Sequence, residues 1–360
     1  MKPYYKTLLL ILILPAVVTA NHDKFKGKYT KEKTVKKEYT VNSDALLEID
    51  NSYGNLDIVS WNESRTVIEV HITTNSNDEE KAQKKLDDIT IEFYGSSSRV
   101  SAKTIFKSKK SSWSFWGKNN SVKMEINYRI KVPVTNSVNL ENDYGAISLD
   151  KLDGQAKIDC DYGQLRIGEL RAENNSLNFD YTNNSTIAFM KSGTIEADYS
   201  GFTLEKGGKL GLNADYTNSE IQDIDEIKYN SDYGKVVIGN AVNVFGGGDY
   251  VTNRIGTITG SLDLNTDYGS IKVERLEGSA KNVTIEADYT GVKLGFSSDY
   301  SFNFDLDLSY ASFKGKENVT VSKTQKDNNH STYKGYHGNS NSGNIVKINS
   351  DYGGVTFIKN

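Results

Sequence analysis

The chain has 360 residues and a formal net charge of −4, so it carries no general basic footprint for nucleic acid. Only 37% of it is hydrophobic, which is low for one large round core and suits a thin, repeated one. Its single cysteine, Cys160, excludes a disulfide within one chain and reads as a small buried hydrophobe.

The first twenty residues, MKPYYKTLLLILILPAVVTA, place Lys2 and Lys6 before an apolar run from Leu8 to Leu14. Small residues follow at Val18-Thr19-Ala20. This pattern predicts a secretory signal peptide over 1–20, too short for a comfortable membrane span. No later segment reaches membrane-span length, so the expectation is an exported protein, periplasmic or at the cell surface, with no transmembrane segment after cleavage. Residues 21–40 hold seven lysines and little that is apolar, and read as a flexible basic leader.

Residues 41–135 predict a β-rich N-terminal cap. Leu47, Ile49 and Asn51 alternate into Tyr53, and TVIEVHIT, IEFYG, RVSAKTIF and VKMEINYRIKVPV alternate likewise. Between them, near 77–89, Ala82, Leu86 and Ile89 follow helical spacing, with acids first and lysines last. The polar stretch SSWSFWGKNN carries Trp113, Phe115 and Trp116. It reads either as a hairpin tip folded back on the sheet or as an aromatic contact for a partner.

From 136 to 313 a repeat takes over. A tyrosine following an aspartate stands at 144, 162, 181, 199, 216, 233, 250, 268 and 289, spaced 17–21 residues apart. Such a period defines the fold before any other argument does. Each unit is a strand, a bend and a second strand, and cannot bury an apolar face alone. Stacked on its copies at about 4.8 Å per layer, it can. The predicted class is therefore all-β, a parallel β-solenoid, with each strand pairing its equivalent one turn later. Alternation places Ile158, Cys160 and Tyr162 on one face, so the tyrosines are expected to stack inside, with the aspartates outside. The residue two before each tyrosine is generally small, Phe179 excepted. Polar outward positions argue against an outer-membrane barrel. Residues 314–344 read as a polar loop insertion and 345–360 as the final turn of the repeat.

Stacked in register, the aspartates, Asp143, Asp161, Asp198, Asp232 and Asp267 among them, would form a charged column. Local turn hydrogen bonds to an N–H two residues on account for it without a ligand. The sharper alternative is a column of cations, with calcium the ion suited to carboxylate and carbonyl oxygens. Gly246-Gly247-Gly248-Asp249 hints at a calcium-binding nonapeptide, once. Four scattered histidines and identical aspartates single out no catalytic residue; His330 and His337 share the polar loop, a conceivable metal pair.

The entry LLEIDNSYGNLDIVSWNES, the helix in EEKAQKKLDDITIEF and the recurring DYG-x-I-x-I resemble the bacterial putative-adhesin family of β-strand repeats, often compared with autotransporter adhesin heads. The resemblance covers roughly 40–360. It implies export and a repeated β fold, and offers no catalytic residues and no cofactor. The function it implies is a binding or scaffolding surface whose partner is a cell-surface glycan or an envelope protein. The alternatives are a carbohydrate-active β-helix enzyme and a structural spacer of the envelope.

Overall fold

The computed structural model describes residues 25–107 and 122–360. The signal-peptide reading of 1–20 and the aromatic residues Trp113, Phe115 and Trp116 lie outside the described residues. The described chain is mostly β-strand, with one α-helix at Glu79–Asp88. Among the described residues, no helix is long and apolar enough to cross a membrane.

Strand pairing follows the repeat. Ala156–Asp161 pairs in parallel with Ser137–Asp143 on one side and Asn175–Asp180 on the other, aspartate on aspartate. Gln164–Leu170, beyond the bend, pairs in parallel with Ala146–Leu152 and with the start of Ser185–Asp198. The same two ladders continue through Gly201–Asn213, Asn218–Asn230 and Lys235–Asp249. Apolar residues point between the ladders. Ile158, Cys160, Leu165, Ile167 and Leu170 are all buried, and their equivalents in neighbouring layers extend one continuous core. Each layer thus covers the apolar surface that the next leaves open.

The first layer, Leu46–Ser52 and Leu56–Trp61, is covered on its outer side by added strands. Arg99–Phe106 pairs with the former and Lys123–Pro133 with the latter. The helix begins at Asp78, whose side chain accepts from the Lys81 amide, and it buries Ala82 and Leu86. The expected flexible leader departs from this picture. From Tyr29 the chain is a regular strand, Tyr29–Thr40, antiparallel to Arg65–Ser76 over its whole length. Backbone pairing along its whole length recruits it, with Tyr39 the apolar residue it packs against the core, so hydrophobicity gave little signal. Its lysines also have local partners. The Lys33 ammonium donates to the Leu86 and Ile89 carbonyls at the helix C-terminus, at 2.7 and 2.5 Å. Burial there pushes its pKa down.

Two further expectations are corrected at the other end. The polar insertion 314–344 is not a loop: it forms the hairpin Thr320–Asp327 and His330–His337, turning at Asn328. His330–His337 lies antiparallel on Phe302–Ser309 and covers its open edge. Nor is the C-terminal segment the last layer. Ile345–Asp351 sits between Val283–Asp288 and Phe302–Ser309, parallel to both.

Candidate functional site

The periodic tyrosines face out, not in. Tyr162 has a φ of 53°, and the other ladder tyrosines have φ between 49° and 68°. That left-handed backbone is uncommon for a residue with a side chain and costs about 1–2 kcal/mol per residue. It also breaks the period-2 alternation, which holds only along extended backbone. The buried face therefore stops at Cys160 and resumes at Leu165, while the ring between them swings to the surface.

The rings form one uninterrupted stack, in the order Tyr53, Tyr144, Tyr162, Tyr181, Tyr199, Tyr216, Tyr233, Tyr250, Tyr268, Tyr289, Tyr352 and Tyr310. Adjacent centroids lie 4.7–5.2 Å apart and ring planes diverge by no more than 10°. The strand spacing of the sheet sets that pitch. From Tyr144 onward each ring is about half exposed, 48–58%. Phe106 packs edge-on against Tyr53 at the first end. Because ring faces cover one another, the stack presents edges and hydroxyls to solvent. For Tyr162, Tyr216 and Tyr352, partial desolvation, then the neighbouring phenols, push the phenol pKa up.

The aspartates bind between layers rather than within their own turn. The Asp180 amide donates to the Asp161 carboxylate at 3.3 Å, Asp198 to Asp180 at 3.1 Å, and Asp249 to Asp232 at 2.7 Å. In return the tyrosine amides from Tyr53 to Tyr289 donate to the aspartate carbonyl of the adjoining layer, as in Tyr162 to Asp180 at 3.0 Å, Tyr199 to Asp215 at 3.0 Å and Tyr233 to Asp249 at 2.9 Å, whereas Tyr352 and Tyr310 donate to the Ser309 and Asn329 carbonyls. From Asp161-Tyr162 to Asp232-Tyr233, each Asp-Tyr pair is thus tied to the next by two bonds of opposite direction. The local bond expected two residues on is not what holds the carboxylate.

Asp143 and Asp161 do sit in one column with their equivalents, as do Asp249, Asp267 and Asp288. Among the described residues, however, no group of three or more His, Cys, Asp or Glu side chains could hold a metal ion. Glu141, Asp143, Asp161 and Asp267 have pKa values raised first by partial burial, with neighbouring carboxylates adding to it. His330 and His337 do not converge. His330 pairs with Asp307 at 2.6 Å, whereas buried His337 bonds the Tyr300 carbonyl at 2.7 Å. Cys160 is buried, and burial pushes its thiol up to about 12, as suits an inert core residue.

No protein-family model and no curated protein matches the chain. Among solved structures it is similar to a putative adhesin from Parabacteroides distasonis, at 13% identity over 91% of this chain and 97% of that one, TM-score 0.37. It is similar also to a putative adhesin from Bacteroides fragilis, at 10% identity over 91% and 97%, TM-score 0.30. A third is a putative cell adhesion protein from Clostridium sporogenes, at 11% identity over 92% and 100%, TM-score 0.20.

Proposed function

We propose that the chain is an exported, non-enzymatic parallel β-solenoid of the adhesin kind, and that its contact surface is the tyrosine edge. The observation that carries this is the size of the exposed stack. At about 200 Å² per side chain, half exposed, the ladder offers roughly 1,000 Å² of aromatic surface in one stripe. Monomeric proteins rarely expose contiguous patches beyond a few hundred Å², and larger ones mark interaction sites. Backbone need does not explain the choice of residue. Asn174, Asn184 and Asn328 adopt the same left-handed backbone at other turns of this chain, at lower cost.

The partner that this edge fits is a protein of the envelope with a basic face. Tyrosine edges and hydroxyls are common currency in protein interfaces, and the flanking aspartates supply charge complementarity. A glycan stacked on ring faces is disfavoured, because those faces are occupied by neighbouring rings. The enzyme alternative loses support from the uniformity of the aspartates, several of which are committed to the same interlayer bond.

The test is cosedimentation of the full chain with isolated envelope, against the variant Tyr199→Asn/Tyr216→Asn/Tyr233→Asn. A tenfold or greater loss of binding by a variant that still melts cooperatively supports the reading, and protease-sensitive binding places the partner among proteins. Unchanged binding by the triple variant returns the chain to the role of an envelope spacer.

A further inference from the structure

The chain skips one layer and fills it later. After Gly291–Phe296 it does not stack directly. The link 297–301 crosses to Phe302–Ser309, which lies two layers away, and the hairpin follows. Only then does the C-terminal segment enter the vacant level. Ile345–Asp351 pairs with Val283–Asp288 below and Phe302–Ser309 above, and Val355–Lys359 pairs with Gly291–Phe296 and Phe313–Lys314.

This inserted pair is made of contacts that do not require it to belong to the same chain. Val346, Ile348, Val355 and Phe357 are buried. Phe357 lies edge-on to Phe296, Phe304 and Phe313 at 6.1, 5.7 and 5.1 Å. Asn349 donates to the Glu286 carboxylate, and the Asn360 side chain to the Glu274 carbonyl. On its N-terminal side it is joined to the hairpin by the segment 338–344, GNSNSGN, which is mostly exposed. Two of its glycines, Gly338 and Gly343, take positive φ, so the path of the tie is set by residues that turn readily either way.

We propose that this level is a donor-strand slot, and that a second copy of the chain can fill it with its own residues 345–360, giving a reciprocally exchanged dimer. The exchange adds and removes no contact between strands of either slot; it changes the course of the 338–344 tie and the hydrogen bonds that hold it to Ser301 and Asn303. A closed two-fold dimer follows, because each copy both gives and receives one segment. Such a dimer would display two tyrosine edges, whatever they bind.

The test uses the full chain with Thr284→Cys/Lys347→Cys. These positions are register partners on adjacent parallel strands, close enough for a disulfide, and buried Cys160 does not compete. The protein is concentrated, warmed to just below its melting midpoint, cooled, oxidised and run on a non-reducing gel. Exchange yields a covalent dimer, and deletion of Gly338–Asn344 raises its fraction at least tenfold, because His337 and Ile345 flank Phe302–Ser309 on opposite sides, about two strand spacings apart and farther than one residue step reaches. Disulfides confined to monomers in both proteins overturn the proposal, as do free thiols in both. If the deletion variant does not fold, the full-length hinge decides alone: dimer supports, monomer overturns.

Discussion

The amide of Asp215 donates to the carboxylate of Asp198, one layer away, at 3.1 Å. Unit charges about 4.8 Å apart repel by roughly 0.9 kcal/mol even in water. A hydrogen bond to a charged acceptor contributes about 1.5–3 kcal/mol, so the bond outweighs the repulsion within this pair. Two consequences can be measured. Asp198→Ala should cost about 1 kcal/mol in urea unfolding, whereas Asp198→Asn, which keeps an acceptor oxygen, should be nearly neutral. The melting midpoint should be the same in EDTA and in millimolar calcium, since an ion held only by the folded state would raise it.

Acid should relieve the column. The carboxyls of Glu141, Asp143, Asp161 and Asp267 are raised by burial and by like charge. A raised carboxyl binds more protons folded than unfolded, so its contribution is most favourable below the unfolded pKa and is lost as pH rises through the folded one. Compared with Glu141→Gln/Asp143→Asn/Asp161→Asn/Asp267→Asn, the native chain should lose midpoint as pH rises above the ordinary carboxylate pKa of about 4 toward neutrality. A constant difference across that range would contradict the assignment. The lowered carboxyls of Glu63, Asp78 and Glu173 are common to both proteins and cancel in the comparison.

Tyr216 separates backbone from ring. It has a φ of 53° and stacks on Tyr199 and Tyr233, at 4.8 and 4.9 Å. Tyr216→Asn removes two stacked contacts but suits the left-handed backbone, and should cost about 1–2 kcal/mol. Tyr216→Val removes the same contacts and adds strain for a β-branched residue, so it should cost about 2 kcal/mol more. Equal costs in urea titrations would mean that the backbone at this corner is not left-handed.

The sequence carried the period, the strand-bend-strand unit and the helix now found at Glu79–Asp88, because each is local and repeated. It misled at the tyrosine. Extending alternation from Ile158 and Cys160 through Tyr162 assumed extended backbone across the bend. A signal was present: Leu165 is an odd five residues from Cys160, so both can be buried only if the alternation breaks between them. The small residues before each tyrosine mark buried positions under the corner, as with Cys160, Ala197 and Ser231. Phe179, the exception, is buried too and packs edge-on against Phe202 at 5.6 Å. The order of the layers was not legible. Equivalent layers offer near-identical edges, so local pattern fixes the register but not which layer lies beside which. The basic strand Tyr29–Thr40 was hidden because pairing with an edge needs no apolar residue.

The most direct test is hydroxyl-radical footprinting of the tyrosines, read by mass spectrometry on the free protein and again with isolated envelope. In the free protein, Tyr162, Tyr199, Tyr216, Tyr233 and Tyr268 should label strongly, and buried Tyr128, Tyr229 and Tyr300 weakly. Envelope should protect the ladder and leave the buried three unchanged. Ladder tyrosines as protected as Tyr229 in the free protein would contradict the outward stack, and equal labelling with and without envelope would contradict its role as the contact surface.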